Sequence, residues 1–190
     1  MELKKKMIAI FIAFFFMQET MAGIITTVSL GFARYRNQNS PHGTKQPVGF
    51  SWGLAAGYRY QFISLEAMTY RYSGSATNDY LLVEYKTKAT DKVTGVLLRL
   101  YFLEVFNIIA GYAEHDVNHS ITPNDSFMAN YYRYDAPNKS RGFVYGLGGK
   151  KNLSGSIDLI YEAIVMAIGN GGRKVSSELD IFTTGIRYEF

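Results

Sequence analysis

The stretch VGFSWGLAAGYRY, residues 48–60, alternates strictly between two kinds of side chain. One parity is apolar and mostly large: Val48, Phe50, Trp52, Leu54, Ala56, Tyr58 and Tyr60. The other parity holds Gly49, Ser51, Gly53, Ala55, Gly57 and Arg59. A period of two residues is typical of a β-strand whose two faces meet different surroundings. The stretch therefore predicts a strand with one apolar, aromatic face and one face of mostly small residues.

Seven further segments show the same alternation, so the chain is predicted to form about eight strands. These segments are residues 26–35, 62–70, 94–102, 106–112, 142–150, 156–167 and 181–190. An even strand number is compatible with antiparallel closure into a barrel. The connections alternate between tight turns and long polar stretches, the latter at about 37–47, 74–91, 115–140 and 169–176. Short turns at one end and longer loops at the other are typical of an outer-membrane barrel.

Alternation alone does not say which face points outward, and a soluble carrier barrel is the alternative. In such a carrier the apolar face would line a cavity, and Lys, Glu, Thr and Gln would face water. The less apolar face is instead rich in Gly, Ala and Ser, which suits the crowded interior of an eight-stranded barrel. Aromatic residues also gather near the strand ends, as in the interfacial girdles of membrane barrels. We therefore expect the large residues to face lipid.

The N-terminus reads as a secretory signal peptide. Lys4, Lys5 and Lys6 precede an apolar run from Met7 to Met17, and small residues follow at Ala22 and Gly23. The run is too short for a transmembrane helix, which needs about 20 apolar residues. We predict a signal peptide over residues 1–22 and one barrel domain over residues 23–190, placed in the outer membrane of a Gram-negative-type bacterium.

The composition limits the chemistry that the chain can perform. Because it has no cysteine, it has neither disulfides nor thiolate sites. Its net charge is +4, and its Lys and Arg residues form no cluster beyond the signal segment. We expect no nucleic-acid partner, no metal and no cofactor. A phosphate-binding glycine loop is also missing, because no helix follows GNGG at 169–172.

Six charged residues fall on the predicted inward face. Three are arginines and three are carboxylates: Arg59, Glu66, Arg99, Asp158, Glu162 and Arg187. A charge in a narrow lumen is costly unless it is paired and hydrogen-bonded. We predict a compensated network that locks the interior, with a narrow pore as the alternative.

The histidines give weak support for an enzyme. His42, His115 and His119 all fall in predicted external loops, and Asp116 and Ser120 lie close to two of them. On a strand, however, His119 and Ser120 would point to opposite faces because they are adjacent. Solvated loop residues explain this pattern, and we expect a non-enzymatic protein. A lipid-modifying outer-membrane enzyme is the alternative.

Several short motifs resemble a known family. The segments SLGFARY, GFSWGLAAGYRYQF, YGLGGK, IDLIYEA and the closing GIRYEF are similar to the small outer-membrane barrels typified by OmpX and the Ail/Lom adhesins, which share the OmpA-type membrane barrel. The resemblance implies an eight-stranded, up-and-down antiparallel barrel without catalysis, surrounded by outer-membrane lipids. It also implies that Tyr188 and Phe190 belong to a signal read by the barrel-assembly machinery.

The same resemblance implies that the external loops contact host or surface ligands, in an adhesive or a structural role. The longest predicted loop offers aromatic residues and one arginine, which are typical binding anchors: Phe127, Tyr131, Tyr132, Arg133 and Tyr134. Alternatively, these residues extend the β-sheet beyond the membrane.

Overall fold

Eight antiparallel strands form a closed barrel in the order of the sequence. A computed structural model describes residues 22–37, 45–80, 83–102, 105–123, 134–169 and 177–190. The strands are β1 (Ala22–Asn37), β2 (Val48–Tyr60), β3 (Ile63–Tyr80), β4 (Val83–Phe102), β5 (Phe106–Pro123), β6 (Tyr134–Ser154), β7 (Ile157–Ile168) and β8 (Ser177–Glu189). Each strand pairs with its neighbour in the chain, and β1 closes against β8. The predicted fold is therefore confirmed.

The tilt of the strands follows from the register. Cross-strand partners can be followed once around the barrel, from Arg34 on β1 through β8 and β7 to the remaining strands. The path returns to β1 at Ile24, ten residues from its start. With the usual spacings within and between strands, this offset tilts the strands by about 40° from the barrel axis. The outward residues from Ile24 to Phe32 then rise about 20 Å between their Cα atoms, close to the apolar band of a membrane barrel.

The outward face is apolar over this band. Exposed side chains include Val28, Phe32, Tyr58, Phe143 and Phe182, and they come from both early and late strands. In the described part of the chain, no helix is long and apolar enough to cross a membrane.

Small inward residues leave room for large ones from the neighbouring strand. Gly53 on β2 lies opposite Tyr70 on β3, and a Cβ at Gly53 would come within 2.4 Å of the Tyr70 ring. Among the described residues, the tight turns after β2 and β6 use left-handed backbone at Gln61, with φ 53°, and at Gly155, with φ 46°. These turns lie at the same end as Ala22 and Phe190.

Two of the predicted long loops are largely strand, which corrects the sequence interpretation. Residues 74–80 and 83–91 continue β3 and β4 as a hairpin, and residues 115–123 and 134–140 continue β5 and β6. The outward face of these extensions is polar, and SGSATND at 73–79 has no large apolar residue on either face, so the apolar outward stripe that marks the membrane segments is absent from them. β8 also begins at Ser177, before the predicted start of its segment. The predicted signal peptide, apart from Ala22 on β1, lies outside the described residues and stays a prediction.

Candidate functional site

The six predicted inward charges all lie inside the barrel, and four of them form its centre. Glu66 on β3, Arg99 on β4, Glu162 on β7 and Arg187 on β8 are buried. Arg99 Nε lies 2.8 Å from Glu66 Oε1, and the Arg99 guanidinium also contacts the Glu162 carboxylate. Arg187 lies 3.4 Å from Glu66 Oε2 and 4.0 Å from Glu162 Oε1. Two cations therefore face two carboxylates.

Neutral side chains add hydrogen bonds to two of these four ions, Glu66 and Arg187. Ser64 Oγ donates to Glu66 Oε1 at 2.7 Å, and Arg187 Nε donates to Thr27 Oγ1 at 3.0 Å. The Tyr101 hydroxyl accepts a hydrogen bond from Arg187. Buried ions are tolerated when opposite charges and hydrogen bonds replace the lost water. This arrangement meets that condition for Arg187 and Glu66, so the central network is a satisfied one at these two residues.

Arg59 and Asp158 belong to separate pairs nearer the turn end. Arg59 lies 3.0 Å from Glu189 and 4.4 Å from the centre of the Tyr101 ring. Asp158 accepts from Lys150 at 3.0 Å. The six residues thus form one four-residue centre and two satellite ion pairs, rather than a single network.

Above the central network the lumen is filled by apolar side chains. They come from all eight strands and include Ala33, Ala55, Met68, Leu97, Ile109, Val144, Ile164, Met166, Leu179 and Ile181. Tyr70 and Tyr72 also lie here, and the Tyr72 hydroxyl donates to the Pro47 carbonyl at 2.7 Å. The described interior is therefore a packed core rather than a water-filled channel.

A second buried polar site lies near the external end, and the sequence interpretation missed it. His115 Nδ1 lies 2.8 Å from Asp91 Oδ2, and His115 is only 1% exposed. We predicted His115 to be a solvated loop residue; this was wrong because β5 continues through it and its side chain points inward. The sequence did contain a pattern that indicates this position: His115 shares its parity with Ala113 and Val117, which places it on the buried face of β5.

This site does not have the arrangement of a hydrolase. Ser140 lies opposite His115 on β6, but its hydroxyl and His115 Nε2 form no hydrogen bond with any described residue. The histidine, acid and serine residues weighed in the sequence analysis are also dispersed. Asp116 is exposed while His115 is buried, and Ser120 follows His119 on the other face of β5. His42 lies outside the described residues. The described ranges hold no group of three residues that would bind a metal ion.

His119 lies further out along β5 and packs against β1. Its ring stacks on Tyr35 with 5.9 Å between ring centres. Burial lowers the pKa of the His119 imidazole below its usual value of 6.5, because the charged form would lose solvation. The stacked pair lies beyond the Asp91–His115 contact, toward the external ends of β1 and β5.

Charged residues form a rim on the outer wall just above the apolar band. Asp180 on β8 accepts from Arg34 Nε at 3.1 Å and from Arg36 at 2.6 Å, and Arg36 also lies 2.7 Å from Glu178. The hydrogen bond to Asp180 raises the pKa of the Arg36 guanidinium. On the other side of the barrel, Arg141 pairs with Glu114. At the height of this rim, the side chains on the outer wall change from apolar to charged.

The predicted loop contacts fall mostly beyond the described chain. Phe127, Tyr131, Tyr132 and Arg133 lie outside the described residues. Tyr134 is the first residue of β6, and its backbone pairs with Ile121. At Tyr134 the chain is thus part of an extended sheet.

The C-terminal aromatic residues are held by backbone pairing. The Phe190 amide donates to the Ile24 carbonyl at 2.9 Å, which ties the chain end to β1. The Phe190 ring is 71% exposed and contacts Tyr188 edge-on, with 4.5 Å between ring centres. The ring therefore adds little to the packed interior.

Comparison with solved structures identifies the fold. Neisserial surface protein A superposes with a TM-score of 0.56 and 15% identity, covering 90% of this chain and 99% of that one. The chain has the fold of the small outer-membrane β-barrels. OprG from Pseudomonas aeruginosa (TM-score 0.54, 17% identity, 91% and 98% covered) and Ail of Yersinia pestis (TM-score 0.53, 11% identity, 90% and 100% covered) share this barrel. No protein-family model matches the sequence, and no curated protein matches it significantly.

Proposed function

We propose that the protein is a non-enzymatic, non-conducting barrel of the outer membrane of a Gram-negative-type bacterium, which presents a stiff β-sheet extension for contact with surface ligands. The observation that carries the proposal is the combination, in one barrel, of a packed lumen with strands that continue beyond the apolar band. A rigid scaffold without a channel is suited to display rather than to transport.

The location is supported by the distribution of charge and bulk between the two faces. Phe32, Phe143 and Phe182 are exposed on the outer wall, while Arg99 and Arg187 are buried inside. In water this arrangement would be strongly unfavourable, because apolar area would be hydrated and charged groups dehydrated. In a bilayer, both sets of residues lie in suitable surroundings.

The absence of conduction is supported by the packing of the lumen. A pore needs continuous water, whereas the residues above the Arg99 centre are apolar and buried. The charges below them are two cations in contact with two carboxylates, so these four residues add no net charge to the lumen. The described residues therefore favour a closed barrel over the narrow pore that the sequence also allowed.

The contact role is supported by the outer face of the β3–β4 hairpin. Lys86 and Lys88 are exposed there and lie opposite Thr77 and Ser75. Ail carries the name attachment invasion locus protein and has been solved with the heparin analogue sucrose octasulfate, at a TM-score of 0.52 to this chain. By this analogy, we infer that exposed lysines above the rim contact anionic surface ligands.

Two measurements test the proposal. The first is the heat-dependent gel migration of the protein in the outer-membrane fraction, together with single-channel recording in a planar bilayer. A shifted band and a silent bilayer are expected, whereas recovery from the periplasm or stable conductance would contradict the location or the closed lumen.

The second measurement is binding of intact cells to immobilised heparin. Removal of residues 124–133 leaves the paired part of β6 intact and tests the loop, while Lys86→Gln with Lys88→Gln tests the hairpin face. We expect the lysine variant to bind less than the parent at equal surface amounts. Unchanged binding in both variants would remove the adhesive part of the proposal.

A further inference from the structure

The outer wall formed by β5 to β8 carries an apolar groove of about 830 Å³ near the turn end. Its sides are large, exposed side chains from four strands: Phe106, Ile108, Leu147, Tyr161 and Phe182. Gly149 on β6 and Ala163 on β7 form its floor, and each pairs with one of these large residues on both neighbouring strands. We call these seven residues the apolar groove. The wall is thus recessed between two lines of bulky side chains.

The packing of the barrel does not require the glycine in the floor. Among the described residues, a Cβ at Gly149 would meet only the Val105 carbonyl oxygen, at 3.6 Å, which is an ordinary contact. At Gly31 and Gly49, by contrast, a Cβ would lie 1.9 Å from a backbone oxygen of the neighbouring strand. Those inward glycines allow the strands to close into a barrel. Gly149 instead opens space on the lipid side.

The floor of the groove runs along the barrel axis. Gly149 and Ala163 are related by one step across to β7 and two residues along it. With strands tilted by about 40°, the sideways components of these steps nearly cancel, and the axial components add to about 8 Å. From Phe106 to Phe182 the groove rises by about 14 Å, close to half of a hydrocarbon core of about 30 Å. One acyl chain of a single leaflet matches this direction and length.

A lysine lies at the lower end of the groove. Lys151 is exposed and follows Gly149 by two residues on the outward face of β6, which places it at about the height of Phe106. Its neighbour Lys150 points inward and pairs with Asp158 at 3.0 Å, whereas no described carboxylate forms an ion pair with Lys151. A basic residue at a membrane surface attracts anionic headgroups. An uncharged lipid would use only the groove, whereas an anionic phospholipid would use both.

We propose that the apolar groove binds one acyl chain of an anionic glycerophospholipid of the periplasmic leaflet, whose phosphate contacts Lys151. This inference rests on the outer-membrane location proposed above. The leaflet follows from the position of the groove near the short turns, because short turns mark the periplasmic end of such barrels. Gly149 and Ala163 leave room for the chain, and Lys151 selects the charge of the headgroup.

The test is native mass spectrometry of the full barrel, released from zwitterionic micelles that contain a defined phospholipid. The probe is phosphatidylglycerol, compared with phosphatidylcholine that carries the same acyl chains. Ala163→Leu fills the floor of the groove, and Lys151→Gln removes the charge. The matched controls are Ala67→Leu, at another exposed alanine of the outer wall, and Lys88→Gln, at an exposed lysine near the external end. Gel migration of each variant is measured first, and Gly149→Ala replaces Ala163→Leu if the latter does not fold.

We expect the parent to retain one phosphatidylglycerol per barrel in preference to phosphatidylcholine. Retention should be at least about tenfold weaker in Ala163→Leu, because the chain loses apolar contact area, and about fivefold weaker in Lys151→Gln. Both controls should lie within about twofold of the parent. Equal retention in Ala163→Leu and Ala67→Leu would overturn the groove as the binding site.

Two other results would also overturn the proposal. One is equal retention of the two phospholipids, or no effect of Lys151→Gln, since the phosphate contact would then be absent. The other is a dimer of the parent without bound lipid that is lost in Ala163→Leu, since a second copy of the chain would then occupy the groove. Recovery of the parent from the periplasm would refute the location, while the micelle measurement would still report on the groove itself.

Discussion

Replacement of Arg99 by alanine is the most informative perturbation of the barrel interior. Arg99 is 0% exposed and contacts both Glu66 and Glu162. Without it, two buried carboxylates would share Arg187, whose guanidinium lies 3.4 Å from one and 4.0 Å from the other. Removing one partner of a buried ion pair typically costs about 3–5 kcal/mol in the free energy of unfolding. We expect Arg99→Ala to fall in this range.

The matched control is Arg141→Ala. Arg141 pairs with Glu114 on the outer wall, where the two side chains are 67% and 57% exposed. An exposed pair of this kind contributes at most about 1 kcal/mol, because water and salt replace it. The same residue type is thus removed from a buried site, where Arg99 contacts two carboxylates, and from an exposed site, where Arg141 contacts one.

The assay is reversible urea unfolding from phospholipid vesicles, followed by Trp52 emission. A double variant, Arg99→Met/Glu162→Gln, removes a cation and a carboxylate together, and we expect it to be more stable than Arg99→Ala. Coupling between contacting residues is usually about 0.5–3 kcal/mol. If Arg99→Ala and Arg141→Ala lower the free energy of unfolding by the same amount, the interior around Arg99 must be hydrated. That result would refute the sealed lumen.

Three further predictions concern conduction, pH and assembly. Arg99→Ala should leave a planar bilayer silent, because the apolar layer around Leu97 and Ile164 remains above it; a stable conductance would show that this layer does not seal the lumen. Acidification should lower the free energy of unfolding through His119, because burial lowers the pKa of its imidazole in the folded barrel. Just below pH 6.5 the unfolded chain binds more protons at this residue than the folded chain does. The stability that is present above pH 6.5 is therefore lost as the pH falls through the pKa of the folded state. His119→Phe keeps the stacking on Tyr35 but removes the titrating group, so the urea midpoint of this variant should depend less on pH below 6.5. An unchanged pH dependence would exclude His119 as the cause of the acid destabilisation. Phe190→Ser should reduce the amount of folded barrel in cells more than it lowers the free energy of unfolding of purified protein, because the ring lies outside the core. Phe106→Ser, which removes another exposed aromatic residue at the turn end, is the control, and an equal assembly defect in both variants would count against a specific role of Phe190.

The strand pattern could be predicted because the membrane enforces it on every second residue. In VGFSWGLAAGYRY, one parity faces lipid and the other the lumen, so the alternation is unbroken. Beyond the band, the outward face carries polar residues because it meets water instead of lipid, and SGSATND at 73–79 shows no alternation although it lies in β3. The sequence interpretation therefore mistook these strand extensions for loops. At that height the surroundings of the outer wall change from lipid to water, whereas the strands continue.

The interior partners could be predicted only in part. Parity alone places Arg99 and Glu162 inside, but they belong to β4 and β7, and their contact across the lumen depends on the tilt of all eight strands. The same holds for the division of Arg59 and Asp158 into satellite pairs. His115 was missed for a related reason, since a strand had to be recognised before its inward face was defined.

The cross-strand register between β1 and β8 is the most direct test of the closed barrel. The chain has no cysteine, so a pair introduced at Val28 and Ile186 reports on this contact alone. The two residues are direct partners on the outer wall, within the Cα separation that a disulfide spans. Val28→Cys/Ile186→Cys should crosslink in the outer-membrane fraction, whereas Val28→Cys/Phe182→Cys, four residues out of register, should not. Absence of the first crosslink, or equal yields of both, would contradict the barrel.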